Sequence, residues 1–275
     1  MRLSPASIQL EGRRALVSGA AQGIGAATAV ALARFGADVA VVDRQAEGLA
    51  RTVEEIESLG REAPSLVADV RDTASMADWI GDLGTVWPSL HVLVNNAGGG
   101  FVSDVMDISA KGQAALIAEN FTQVVDLTRL AHPMLVAGAD RPGGSSVINI
   151  TSVEGHRAGP GFGIYSAMKA AVANITRTLA LELADARIRV NAIAPDMIPT
   201  PGDEMLSSDS GAMGEPGWRP TPWPEVGDPD DVAAAVVWLA GPMSRFVTGS
   251  TVHVDGGTFA SSGWKKRIAD GRWVL

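Results

Sequence analysis

The chain of 275 residues has no cysteine, which excludes disulfides and thiolate metal sites. Aromatics are scarce at 5%, and tyrosine occurs once, at Tyr165. Charged residues are also few, 19% against 46% hydrophobic, a balance of compact globular chains rather than disordered ones. Positive charge is in deficit: 22 Lys and Arg against 31 Asp and Glu leave −9, so nucleic acid and anionic membranes are disfavoured as partners. No apolar run reaches membrane-spanning length, and the opening "MRLSPASIQLEGRR" lacks the apolar stretch of a signal peptide. The four histidines (His91, His132, His156, His253) have neither metal-ligand spacing nor acidic companions, and no metal site is expected. These absences predict a soluble, cytoplasmic protein.

What is present is an alternation. Short apolar runs at 14–19, 37–43, 63–70, 91–98, 145–152, 187–195 and 250–257 read as strands. Between them lie helical patterns, among them 23–36, 45–60, 113–137, 165–186 and 228–240. The strands are near-continuous Val, Ile, Leu and Ala, the composition of a parallel sheet covered on both faces. Repetition of strand and helix with right-handed crossovers predicts an α/β, doubly wound sheet. Only 196–228, rich in Pro, Gly, Ser and Asp, breaks the rhythm. A loop of that length in a compact domain points to a functional flap, so the expectation is a single domain over 1–275 with a flap at about 196–228 and a tail at 258–275.

Two features address a dinucleotide. "SGAAQGIG" (18–25) stands between the first strand and the first helix. Its glycines at 19, 23 and 25 permit tight turning and a close approach of a diphosphate to the helix N-terminus. Asp43 ends the second strand, 18 residues after Gly25. A carboxylate there can accept both hydroxyls of an adenosine ribose and repels a 2′-phosphate. At 4–5 Å and an effective dielectric near 20, that repulsion is about 3–4 kcal/mol before screening, which favours NAD over NADP. Arg44 follows directly and can soften the preference.

The lone tyrosine sits in "GIYSAMKA" (163–170), four residues before Lys169. A ring alone could be phenylalanine, with no hydroxyl to satisfy. On a helix, positions i and i+4 share a face, so Tyr165 and Lys169 point into one cleft.

Over about residues 10–260 the chain closely resembles the short-chain dehydrogenase/reductase family. The glycine turn matches "SGAAQGIG", with Ser18 where threonine is more usual. "NNAG" matches Asn95–Gly98, and Asn120 in "AENFTQVV", Ser152 in "NITSVEG" and the Y-x-x-x-K pair Tyr165 and Lys169 match the catalytic set. Asn191 to Pro195 match the motif after the next strand, but Asp196 stands where the family has glycine.

The resemblance implies a nicotinamide-dependent oxidoreductase on a seven-stranded Rossmann sheet, commonly a homotetramer. It places the cofactor against Ser18, Gly19, Gln22, Gly23, Ile24 and Gly25, then Asp43, Asp69 and Val70, then Asn96, Ala97 and Gly98. Tyr165, Lys169, Pro195, Ile198 and Thr200 complete that set, with Thr200 near the nicotinamide amide. Asn95 is expected to brace the sheet instead. A tyrosine hydroxyl titrates near 10, and an adjacent ammonium and a cationic nicotinamide favour its ionised form. Tyr165 then takes the proton of a secondary alcohol as hydride leaves for NAD, or returns one to a carbonyl. Ser152 bonds the same oxygen, Lys169 also binds the nicotinamide ribose, and Asn120 holds a water that links Lys169 to solvent. Glu154 is expected to be solvated or salt-bridged.

The flap carries Met197, Ile198, Met205, Leu206, Met213, Trp218 and Trp223, an adaptable apolar set suited to a hydroxysteroid or another alicyclic alcohol. A 3-oxoacyl thioester is the rival substrate, but those reductases usually use NADPH and Asp43 opposes it. A non-catalytic nucleotide sensor typically loses the tyrosine or lysine, and here all four catalytic positions are filled. Apolar faces on helices 113–137 and 165–186 are expected to meet partner subunits, and Trp264 and Trp273 in the tail either join them or pack on their own domain.

Overall fold

The computed structural model describes residues 3–201 and 217–274. Seven strands form one parallel sheet: β1 (Arg14–Ser18), β2 (Asp38–Asp43), β3 (Ser65–Val67), β4 (Val92–Asn95), β5 (Ser145–Ile150), β6 (Ile188–Pro195) and β7 (Thr251–Val254). Their order is β3-β2-β1-β4-β5-β6-β7. The chain winds outward from β1 to β3, then returns to start again at β4. Between β1 and β4 the direction reverses, and the crevice at their carboxyl ends is where such sheets bind ligands.

Alternate strand residues face opposite layers. Ala15, Val17, Val39, Val41, Val92 and Val94 pack against α1 (Gly23–Arg34), α2 (Ala46–Ser58) and α7 (Pro229–Ala240). Leu16, Ala40, Val42, Leu93 and Val147 pack against α3 (Thr73–Val86) and α5 (Gln123–Gly138). With both faces covered, the central strands are mostly apolar, and polar residues such as Asn95 and Asn149 are tolerated where they bond each other.

The expected strands all form, and some are shorter than their sequence runs. The run 63–70 yields only Ser65–Val67, because β3 is an edge strand with Ser65 and Val67 exposed. α3 fills the connection from β3 to β4, and the Asp72 carboxylate caps it by accepting the Ser75 N–H at 3.1 Å. The expected helix 113–137 divides into α4 (Ala110–Ile117), a π turn at Ala118–Thr122 and α5. Such turns concentrate at functional sites, and this one holds Asn120. α6 (Gly163–Glu182) carries Tyr165 and Lys169, and α8 (Thr258–Ser261) follows β7. The tail closes into a small antiparallel ladder, β8 (Lys265–Lys266) with β9 (Trp273–Val274), and bridges to Trp218 through Arg267.

Candidate active site

A cleft of about 1420 Å³ runs along the carboxyl ends of the strands. Its floor begins where β1 ends. Gly19 and Gly23 have φ of 69° and 55°, the left-handed region that glycine occupies without strain. A Cβ added at Gly25 would lie 1.9 Å from the Gly19 carbonyl oxygen, so any side chain there would break the turn. Asn96 Nδ2 clamps the same turn by donating to the Ser18 and Gly19 carbonyls, both at 3.0 Å.

The expectation that Ser18 touches the cofactor is corrected. Its side chain is fully buried, and its hydroxyl accepts the N–H groups of Asn96 and Ala97 at 3.1 Å each. Ser18 therefore supports the cleft from behind. The other residues expected at the cofactor all line the cleft: Gly19, Gln22, Gly23, Ile24, Gly25, Asp43, Asp69, Val70, Asn96, Ala97, Gly98, Tyr165, Lys169, Pro195, Ile198 and Thr200.

Asp43 is nearly buried and already employed. Its Oδ2 accepts Ala21 N–H at 3.0 Å and its Oδ1 accepts Gln45 N–H at 2.9 Å. One carboxylate thus ties the glycine turn to the start of α2, with lone pairs remaining for ribose hydroxyls. At the same end of the cleft, Asp69 meets a partner that sequence reasoning passed over. Arg71 Nε bonds its two oxygens at 2.9 and 3.1 Å, and this guanidinium holds the Asp69 carboxyl below its ordinary range. The only signal was adjacency in "ADVRD".

At the other end stand Ser152, Tyr165 and Lys169. Lys169 is 4% exposed, and its Nζ donates to the Ile150 carbonyl at 3.0 Å and lies 5.5 Å from the Tyr165 ring centroid. Burial pushes the ammonium down to about 8, against the pull of Glu119. Asn120 does not line the cleft: it is fully buried, donating from Nδ2 to the Gly99 carbonyl at 2.8 Å and accepting Gly99 N–H at 3.3 Å. A Cβ at Gly98 would lie 2.9 Å from Asn120 Oδ1 and 3.1 Å from Lys169 Nζ, so glycine alone lets both side chains close on that backbone. Asn95 braces the sheet as expected, donating to Thr128 Oγ1 at 3.0 Å and Asn149 Oδ1 at 2.8 Å.

The end of the cleft beside Tyr165 is walled by Phe101, Val102, Phe162, Met197, Ile198 and Val226. The segment after "NNAG" thus contributes a wall that sequence reasoning did not identify. Trp218 and Trp223 are corrected out of this wall. Trp223 is 62% exposed and bonds the Gly256 carbonyl through its backbone, while Trp218 bridges to the tail. Met205, Leu206 and Met213 lie outside the described residues. Glu154 lines the cleft paired with Arg157. Among the described residues no group of three His, Asp or Glu could hold a metal ion, and no helix is long and apolar enough to cross a membrane.

Open sheets of this order bind a dinucleotide outside the strand ends at the switch point, and the two halves of this cleft suit a nicotinamide-dependent oxidoreductase. The cradle fits such a group: glycine backbone at the turn, an acid at one end, an ammonium at the other. Comparison with known proteins agrees. The family model described as enoyl-(acyl carrier protein) reductase matches residues 19–258, and the chain belongs to the short-chain dehydrogenase/reductase family. It is 38% identical to an uncharacterised oxidoreductase of Mycobacterium tuberculosis, covering 90% of this chain and 93% of that one. It is 37% identical to 3beta-hydroxysteroid dehydrogenase 1 of Eggerthella lenta, over 90% and 94%, and 34% to the 3-oxoacyl-[acyl-carrier-protein] reductase of Thermotoga maritima, over 91% and 99%. Among solved structures, carveol dehydrogenase from Mycobacterium avium in complex with NAD superposes with a TM-score of 0.83 at 30% identity, over 92% and 99%. RhlG of Pseudomonas aeruginosa, in an NADP complex, gives 0.85 at 31%, over 94% and 100%.

Proposed function

We propose that this protein interconverts a secondary alcohol and a ketone with NAD(H), on a bulky hydrophobic substrate such as a hydroxysteroid or alicyclic alcohol. One observation carries the reading: Ser152, Tyr165 and Lys169 share one end of the cleft with an apolar wall, while the Asp43 carboxylate lines the other. A bound nicotinamide accepts or supplies the hydride. The chain's own residues handle the proton and the geometry. Tyr165 takes the proton from the alcohol, or gives one to the ketone. Ser152 donates to the same oxygen and holds it in reach. Lys169, an ammonium buried beside the ring, favours the ionised tyrosine and bonds the nicotinamide ribose. Asn120 Oδ1 and Lys169 Nζ both flank the Gly98 backbone, and a water bridging them would lead the proton outward.

Asp43 supports NAD as the cofactor, since an added 2′-phosphate would meet its charge at short range. Arg44 is exposed beside it and is the residue that can weaken this choice. The protein is taken as one domain, cytoplasmic and homotetrameric, with residues 196–200 and Val226 of the flap flanking the substrate; residues 202–216 of the flap lie outside the described residues. The test is a panel of secondary alcohols and ketones, including carveol and a 3β-hydroxysteroid, read by NADH absorbance with NAD and NADP in parallel. Turnover of an alicyclic alcohol with NAD is the expected result. Binding of NADH without turnover of any alcohol or ketone would overturn the reading.

A further inference from the structure

Four polar side chains at the substrate end form a connected cluster that the proton chemistry leaves unused. Arg157 Nε and Nη2 donate to Glu154 Oε1 at 2.9 and 2.6 Å, and Nη2 also donates to Asp196 Oδ2 at 2.9 Å. Thr258 Oγ1 donates to that same Asp196 oxygen at 2.6 Å. The cluster joins three strand ends, because Glu154 and Arg157 follow β5, Asp196 follows β6 and Thr258 follows β7. Two details show what it restrains. Met197, next to Asp196, has φ of 53°, a left-handed conformation that disfavours a residue with a Cβ. Asp196 Oδ1 holds it there by accepting the Met197 N–H at 3.0 Å. Glu154, for its part, donates its backbone N–H to Ser152 Oγ at 3.1 Å.

We propose that Arg157 is a positioning residue for Ser152. Through Glu154 it fixes the turn whose amide orients the serine hydroxyl, and through Asp196 it fastens that turn to the root of the 196–201 segment, across the mouth of the cleft. A guanidinium suits the task because its planar fork reaches two carboxylates at once. A lysine is a point charge and holds one of them well. The aspartate in the family's glycine position is then the anchor for the arginine. The catalytic part of this inference rests on the alcohol–ketone reading above; the mechanical part does not.

The experiment compares Arg157→Met, Arg157→Lys and Asp196→Asn in the wild-type and Ser152→Ala backgrounds. Hydrogen exchange on the protein without substrate follows peptides covering 152–158 and 195–201. Steady-state rates use carveol and cyclohexanol, and NADH binding is read by fluorescence. In Arg157→Met, exchange rises in both peptides together, kcat falls about tenfold, and the Kd for NADH stays within about twofold. Arg157→Lys recovers part of the rate. In the Ser152→Ala background, Arg157→Met lowers kcat no further. Faster exchange in 152–158 alone would overturn the clasp, and an equal loss of kcat in the Ser152→Ala background would overturn action through the serine. If neither alcohol is turned over by the wild type, the alcohol–ketone reading fails for them, and the exchange experiment still decides whether Arg157 couples the two segments.

Discussion

Tyr165→Phe removes one hydroxyl and keeps the ring that packs edge-on against Phe162 at 6.3 Å between centroids. Turnover should fall by about 10²–10⁴-fold, with NADH affinity and thermal stability nearly unchanged. More than about a tenth of wild-type activity would remove Tyr165 from the proton step. Asp43→Ala tests the cofactor end. It deletes the charge that opposes a 2′-phosphate and leaves Arg44 beside the ribose, so NAD should bind more weakly and NADP more tightly. A wild-type preference above ~100-fold, about 2.7 kcal/mol, should narrow in kcat/KM measured with both cofactors. A wild type that uses both equally would mean Arg44 prevails. His91 offers a third test, away from the cleft. It is buried, and its Nδ1 accepts the Arg14 N–H at 3.0 Å. Burial, with Arg13, Arg141 and Arg14 nearby and only Asp140 opposing them, pushes it down to about 4. Between the ordinary histidine value and about 4, the unfolded chain binds a proton that the folded chain refuses. Stability therefore falls as pH drops through that window, by up to about 3 kcal/mol from this group. His91→Asn keeps an acceptor for Arg14 without titrating. The stability difference between variant and wild type should shift in the variant's favour from pH 7 to pH 4.5, and a difference constant across those pH values would refute the assignment.

At the scale of elements, the amino ends of the strands carry a restraint that motif reading does not find. Arg189, 6% exposed near the start of β6, donates to the Gly143 carbonyl at 3.1 Å, Ser244 Oγ at 3.0 Å and the Leu239 carbonyl at 2.8 Å. It thereby ties the last turn of α7 to β6 and the loop before β5, with a cation placed where a helix C-terminus favours one. The Leu239 carbonyl also accepts from Ser146 Oγ at 2.9 Å and Ser244 Oγ at 3.1 Å, so Arg189→Met chiefly costs the Gly143 carbonyl and Ser244 Oγ their donor and should destabilise the fold by about 2–4 kcal/mol, read as a denaturation midpoint. The folded variant should keep its kcat, because the cleft lies at the opposite ends of the strands. A loss below about 1 kcal/mol would show that the carbonyls find other partners. The same contrast explains what was legible in advance. Strands buried on both faces announce themselves by apolar runs, and the residues on the glycine turn and on α6 share short spacings, so both ends of the cleft were readable. Arg71, Arg157 and the Phe101–Val102 wall reach the site through loops, where no period marks a side chain's direction. Ser18 was misplaced for a related reason: its position in the motif is local, but its partners Asn96 and Ala97 come from β4's end, nearly eighty residues away.

For the whole molecule, the arrangement of exposed apolar side chains argues for assembly. A closed tetramer of dihedral symmetry needs two different self-complementary patches on each copy. One surrounds β7, the last strand of the sheet. Phe246 is 93% exposed and Leu181 79%, Met243 and Phe259 are exposed as well, and Gly249 sits against Ala180, which brings the 241–249 turn to the end of α6. Large apolar groups in such numbers at one sheet edge mark an interaction surface. The second patch was expected on the helices 113–137 and 165–186. There Val136 is exposed, Ile117, Phe121, Val125 and Leu130 are half-buried, and Ala167, Ala170 and Ala171 present small side chains that let two helices approach closely. Each patch alone would make a dimer, and the two together would make four copies. Light scattering at micromolar concentration should therefore give the mass of a tetramer. Phe246→Asp with Leu181→Asp places carboxylates in the β7 patch only, so the double variant should fall to a dimer held by its helices while each copy stays folded. A wild-type monomer would refute the assembly, and a double variant that remains tetrameric would move the first interface away from the β7 edge.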